Sequence, residues 1–397
     1  MPYISGRLVH DADSHIMETP ELFETYVEPA FRERARALDV FRAVPGYQGK
    51  LAKVRAAHGD ATYRADDEAQ IMLRKNWDAT GSFLAQDRAR APDLIGVASQ
   101  LVFNTMWSGF LVNAEHDGDI DFAVALARAH NRAMAEFCAV DRRLLSTLYV
   151  PLADRRRVGA LAHEAIALGA KALLIPSRCP KGHSPSHVDF DALWAVAQEA
   201  GIPIVFHVGG GGPLLSPDYF VNGLPPVPDF HGGAENFRSV DYMAIPYPPM
   251  QTLATLILDG VLDRFPRLKF GVIEQGALWL PGWMRSLDSA HAAFYKNEAR
   301  LQKMALKPSE YVRRQVRATP YPHEDVAWIA ANGGEEVALF STDYPHVEGG
   351  RNPLKRFEAT MAGMSEAACR RFYCENFIDL MGEGLAQDLR YPKVRAA

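Results

Sequence analysis

Asp13 and His15, in Asp11-Ala-Asp-Ser-His15, stand two residues apart at the end of a short apolar run that starts at Leu8. Alternate residues of a strand share a face and lie about 6–7 Å apart. A carboxylate and an imidazole placed this way look like half of a divalent-metal site. The plain alternative is a capping Asp13 and an ordinary, partly buried His15. Three later apolar runs tip the balance. Ile204-Val-Phe-His207 ends in a histidine, Phe270-Gly-Val-Ile-Glu274 in a glutamate, and Ala338-Leu-Phe-Ser-Thr-Asp343 in an aspartate. Any one of these could be structural, but ligand-type residues at equivalent places in four runs predict a shared site. Mixed oxygen and nitrogen donors suit Zn2+, Mn2+ or Fe2+. Such an ion can lower the pKa of bound water to about 7. One ion per chain is expected, although three carboxylates and two histidines have room for two.

The elements that must position these residues alternate along the chain. Strands are predicted near Leu8–Asp13, Ser99–Phe103, Leu145–Val150, Ala172–Ile175, Ile202–His207, Leu268–Glu274, Val316–Ala318 and Val337–Asp343. Helical periodicity falls between them, over Asp121–Val140, Arg156–Leu168, Asp191–Ala200, Met250–Asp263, Leu278–Glu298, His323–Ala331 and Ser365–Met381. Eight strand–helix units predict an α/β fold, a (β/α)8 TIM barrel, in which chemistry collects at the carboxyl ends of the strands. No glycine-rich phosphate turn follows the first strand, which disfavours an open dinucleotide-binding sheet. Gly209–Gly212 runs straight into Pro213 and reads as a loop. Two stretches break the rhythm: residues 16–95, with helical patches at Pro20–Arg36 and Asp66–Asn76, and residues 208–248, rich in Gly, Pro and aromatics. Both read as long insertions after strands one and five, of the kind that form lids or interfaces. No linker divides the chain, so residues 1–397 are expected to form one domain.

Composition bounds the rest. The 397 residues are 48% hydrophobic, 23% charged and 10% aromatic, with a net charge of −5. That balance offers no basic field for nucleic acid or an anionic membrane. No apolar run approaches the roughly 20 residues that cross a bilayer, and the N-terminus lacks a secretion-signal pattern. Four cysteines without CxxC spacing read as thiols rather than a disulfide framework or zinc knuckle. A cytoplasmic enzyme of a small-molecule substrate is expected. The aromatics of both insertions suit either an apolar pocket or a homodimer or larger homo-oligomer interface.

The same residues carry a family resemblance. The chain resembles the amidohydrolase superfamily, in the amidohydrolase-related branch that includes aminocarboxymuconate semialdehyde decarboxylase and γ-resorcylate decarboxylase. The resemblance rests on Asp11–His15, Ile204–His207, the segment Leu256–Phe270 with its Gly260…Phe265-Pro266 element, Glu274–Pro281, Ser341-Thr-Asp-Tyr-Pro-His346 and a closing Ser365…Asn376 helix. It implies that Asp13, His15, His207 and Asp343 ligate the metal and that Asp343 also handles a proton. This chain departs from the branch in two places. Strand one carries Asp13-Ser-His15 where many relatives have His-x-His or Glu-x-His, and strand six ends in Glu274 where the decarboxylases typically have a histidine.

Glu274 is therefore expected to be a general base, a further ligand, or protonated. With Asp13 and Asp343 neutralising one divalent ion, an ionised Glu274 would leave the site at −1. The replacement favours hydrolysis of an amide, ester or thioester, with catalytic Asp343, Glu274 and His207. Metal-dependent non-oxidative decarboxylation of an aromatic or dienoic acid is the alternative, and a catalytically silent metal-binding barrel the least favoured reading. On the substrate side, Arg178 could pair with a carboxylate or phosphate. Asn104, Trp107, His346 and His231 are pocket candidates, each with a structural alternative such as packing for Trp107.

Overall fold

In the computed structural model, which describes residues 1–38, 46–225 and 238–392, seven parallel strands pair in chain order. They are β1 (Asp11–His15), β2 (Gln100–Phe103), β3 (Leu144–Tyr149), β4 (Ala172–Leu174), β5 (Ile204–His207), β6 (Phe270–Ile273) and β7 (Val316–Ala318). Each successive pair is joined through helical crossovers, giving an α/β, TIM-like curl of sheet. The helices follow the predicted periodicity closely, with Ile120–Cys138, Val158–Leu168, Asp191–Ala200 and Leu280–Phe294 among the longest.

The eighth predicted strand, Val337–Asp343, does not form as one. It makes two isolated bridges, Ala318 with Ala338 and Ser14 with Tyr344. Backbone bonds nevertheless reach both neighbours: Leu339 N–H donates to Ala318 O, and Ala12 N–H donates to Phe340 O. The reason for the missing ladder is a side chain. The buried Asp11 carboxylate accepts from Thr342 N–H at 2.8 Å and Thr342 Oγ1 at 2.6 Å, taking the place of main-chain partners. The register of β1 on β2 slips at the same place, between Asp11 and Ser14.

Alternation along the strands sorts their residues into two apolar clusters. Leu101, Phe103, Leu145, Tyr149, Leu174, Val205, Ile273 and Leu339 share one cluster with Phe377, Leu380 and Met381 of the closing helix. Val102, Leu148, Leu173, Ile204, Phe206, Phe270 and Val272 share the other with the crossover helices. His207, two residues past Val205, is thus the next position on the face of the first cluster.

In the first insertion the predicted patch Asp66–Asn76 is displaced: the helix runs Ala61–Ala69, started by Asp60, whose carboxylate accepts from Tyr63 N–H. A further helix, Tyr47–Gly59, goes beyond the prediction. The insertion braces the end of β1. Fully buried Arg88 donates from Nη1 to the His15 carbonyl at 2.8 Å, and Met17 N–H bonds to Ser82 O. No helix among the described residues is long and apolar enough to cross a membrane.

Candidate active site

Five side chains from four parts of the chain converge where the sequence pattern expects them. His15 Nε2 lies 3.2 Å from Asp13 Oδ1, 3.6 Å from Glu274 Oε2 and 3.5 Å from Asp343 Oδ1. His207 Nε2 lies 3.5 Å from Asp13 Oδ1 and 3.2 Å from Glu274 Oε2. All five residues are buried. The facing atoms Asp13 Oδ1, His15 Nε2, His207 Nε2, Glu274 Oε2 and Asp343 Oδ1 are each enclosed without a hydrogen-bond partner. Orphaned buried polar atoms cost free energy and are rare. Two overlapping groups of ligand-type residues, Asp13–His15–His207–Glu274 and His15–Glu274–Asp343–His346, are each compact enough to hold a cation.

The rings are held so that their lone pairs face that point. His15 Nδ1–H donates to the Asn104 carbonyl at 3.0 Å, and His207 Nδ1–H donates to the Val208 carbonyl at 2.9 Å. Each bond fixes the tautomer and leaves Nε2 as the available donor. Phe103, with its ring centroid 4.5 Å from that of His207, packs beside them. Glu274 and Asp343 lie at backbone turns with φ of 55° and 53°, a left-handed conformation that costs a non-glycine residue about 1–3 kcal/mol. Glu274 is held there by its N–H bond to Thr319 Oγ1 (2.8 Å) and by Tyr321 O–H to its carbonyl (2.9 Å). Glu274 therefore sits just past the end of β6 rather than on it.

The charges of the cluster are interdependent. Burial alone would push the carboxyls of Asp13 and Glu274 up, but the facing imidazoles of His15 and His207 outweigh it and hold both low. Burial would also lower the histidines. Asp13 and Glu274 reverse this, raising His207 to about 9 and His15 well above its ordinary value. Asp343 is pushed up to about 7, chiefly by burial and then by the charge of Glu274. The proton expected as one option on Glu274 is thus favoured on Asp343 instead.

The other candidates separate. His346 joins the cluster: Nδ1 lies 3.2 Å from Asp343 Oδ1, and its ring stacks on His15 with centroids 3.7 Å apart. Asn104 serves His15 through its main chain, while its Nδ2 donates to Ser108 Oγ at 2.8 Å. Trp107 is 2% exposed and begins the helix Trp107–His116 within an apolar cluster. Arg178 follows β4, its backbone N–H bonded to Gly210 O and its side chain against Gly212, and it forms no ion pair among the described residues. His231 lies outside the described residues. Sequence reasoning did not single out Thr105, whose Oγ1 meets His346 Nε2 at 2.8 Å. Nor did it assign Glu18, whose buried carboxylate accepts from the N–H groups of Thr105, Met106 and Trp107. A carboxylate three residues beyond His15 was the available signal.

Comparison with known proteins places this geometry. A family model described as amidohydrolase matches residues 103–380, more than two thirds of the chain. No curated protein matches the sequence. Among solved structures, an amidohydrolase from Mycobacterium avium subsp. paratuberculosis K-10 superposes with a TM-score of 0.71 at 24% identity, covering 96% of this chain and 100% of its own. A 5-carboxyvanillate decarboxylase from Novosphingobium aromaticivorans, complexed with manganese and 4-hydroxy-3-methoxy-5-nitrobenzoic acid, gives 0.64 at 18% identity, covering 96% and 98%. A dihydroxybenzoic acid decarboxylase from Polaromonas sp. JS666, with bound manganese and 2-nitroresorcinol, gives 0.59 at 16% identity, covering 96% and 100%.

Proposed function

The chain belongs to the amidohydrolase family, and from that premise we propose that it is a metal-dependent, non-oxidative decarboxylase of a hydroxylated aromatic acid. The observation that carries the reading is the set of five unpartnered donor atoms converging on one point. Support comes from the shared fold with decarboxylases whose structures contain manganese and phenolic ligands. This moves hydrolysis, the first expectation from sequence, to second place.

Asp13, His15, His207, Glu274 and Asp343 would hold the ion. Three carboxylate oxygens against two imidazole nitrogens favour Mn2+ over the softer choices. The two four-residue groupings of the site share His15 and Glu274. An imidazole nitrogen has one lone pair and cannot serve two ions, which favours one ion per chain. When bound, the ion supplies positive charge that chelates a carboxylate and its neighbouring hydroxyl.

The chain's own residues supply the rest. Loss of carbon dioxide leaves the carbon–carbon bonding pair on the ring carbon, which must take a proton. Asp343, 3.2 Å from His346, is placed beside the reacting carbon's side of the cluster to pass it. Enclosure of the site excludes water from the carbanionic carbon. Arg178 would receive a second acidic group of the substrate.

Hydrolysis remains the second reading because Glu274 offers a carboxylate base where decarboxylases of the branch carry a histidine. Incubating manganese-loaded protein with hydroxybenzoates, acyl esters and thioesters separates the two. Carbon dioxide release supports the lyase, acid release from the esters supports the hydrolase, and neither product refutes the enzymatic reading.

A further inference from the structure

The loop that leaves the metal cluster after His346 runs into Val347 and Arg351, which line one wall of a cavity of about 670 Å³. The first insertion supplies the facing wall, through Lys50, Tyr63 and residues 73–78. Asn76 N–H bonds to the Pro345 carbonyl at 2.9 Å and ties the two walls together. Although the chain carries a net charge of −5, this cavity is basic: Lys50, Arg74, Lys75 and Arg351 face a single lining carboxylate, Asp78. Arg74 is already engaged, by Asp66 Oδ2 at 2.7 Å and the Tyr63 carbonyl at 2.8 Å. The other three cations form no hydrogen bond or ion pair among the described residues. Lys50 lies over the Trp77 ring, 5.6 Å from its centroid. The Lys75 ammonium is enclosed by the chain without a hydrogen-bond partner. It feels the charges of Asp343, Glu348 and Arg351 but bonds to none of them. An enclosed ammonium with three unused donors is costly and uncommon. Its flexible four-carbon stem lets it turn toward the cavity that the residue lines.

The geometry points to this cavity as a second ligand site, which takes an oxyanion, a carboxylate or a phosphate ester, carried on an apolar body. The excess of charge selects the anion, because Lys50, Lys75 and Arg351 offer charge-assisted donors that no residue of the lining uses. Glu348, outside the lining, tempers the field at Lys75 without occupying its donors. Surfaces for the body stand beside the cations. Tyr63 is held flat under the Arg74 guanidinium, 3.6 Å from the ring centroid, and Leu73 remains 44% exposed at the cavity. None of the lining residues belongs to the groups that could hold the metal. The inference therefore stands independently of the decarboxylase reading.

Calorimetric titration of the metal-loaded protein with phenyl phosphate, benzoate and phenol tests the site. At least one of the two anions should bind saturably, while phenol, which lacks the charge, should bind far more weakly. The tighter anion tells a phosphate ester from a carboxylic acid, and either result supports the site. Lys75→Met and Arg351→Gln should each weaken that binding by about tenfold or more, the loss expected for one charge-assisted bond. Added salt should weaken it further. Arg178→Met, which alters the other candidate anion contact, should leave it unchanged. Arg351 is exposed, so Arg351→Gln carries the test even if Lys75→Met fails to fold. Binding that persists at full strength in Arg351→Gln and in a folded Lys75→Met places the anion elsewhere and overturns the proposal. So does binding lost in Arg178→Met, equal binding of phenol, or no saturable binding of either anion at millimolar concentration.

Discussion

Metal binding should be steeply acid-sensitive, because the cluster holds protons where the ion must sit. In the ion-free protein His207 is raised to about 9 and His15 well above its ordinary value by the carboxylates of Asp13 and Glu274. A ligand imidazole must be neutral at Nε2, so an ion entering at pH 7 displaces both protons. For His207 alone, stripping a proton two pH units below its pKa costs about 2.7 kcal/mol. His207 alone should raise the dissociation constant about tenfold for each unit the pH falls between 8 and 7, and His15, raised in the same direction, should steepen that slope. Below pH 7 the slope steepens as Asp343, pushed up to about 7, protonates as well. Competition with a chelator of known affinity at several pH values measures the slope. Calorimetry in buffers of different ionisation enthalpy counts the protons. A proton count below one, or a slope near zero, would refute the electrostatic account of the site.

Further outcomes follow from the same contacts. Histidines raised in the folded state stabilise it fully below their unfolded pKa and lose that contribution as pH climbs through the folded one. The ion-free protein should therefore lose melting temperature from pH 6.5 to pH 9, while the metal-loaded protein should not, as differential scanning fluorimetry would show. Asp13→Asn keeps an oxygen donor but removes a buried charge, so metal affinity should drop by about two to three decades in the same chelator competition. Asp11→Ala removes four buried hydrogen bonds, from Thr342 N–H, Thr342 Oγ1, Gln100 Nε2 and, at 3.3 Å, Asp13 N–H. At about 1 kcal/mol each, it should lower unfolding free energy by roughly 4 kcal/mol in urea titrations. Arg178→Met should raise KM for an acidic substrate without changing kcat, and an unchanged KM would remove Arg178 from substrate binding.

The site was legible because barrel chemistry gathers where strands end, and apolar runs announce those ends. Asp13, His15, His207, Glu274 and Asp343 each close such a run, and all five meet. Position along a strand says little about what a turn does next, so the left-handed backbone at Glu274 and Asp343 was invisible. The eighth strand misled because its apolar run was genuine, while the carboxylate that interrupts its ladder lies more than three hundred residues earlier at Asp11. In the first insertion, Tyr47, Leu51, Val54 and His58 do form a buried helical stripe, diluted by enough charge and alanine to hide among loops. Thr105 has no local signal at all, since its place in the cluster lies in an oxygen shared between Ile16 and His346, residues distant from each other in sequence.

The imidazoles of His15 and His207, the two proposed nitrogen ligands, are anchored to main-chain carbonyls, of Asn104 and Val208, rather than to side chains. A carbonyl survives almost every substitution of the residue that bears it. The loops following β2 and β5 can thus exchange their side chains and admit new substrates without re-aiming the two nitrogen donors, which makes this metal cradle tolerant ground for functional divergence.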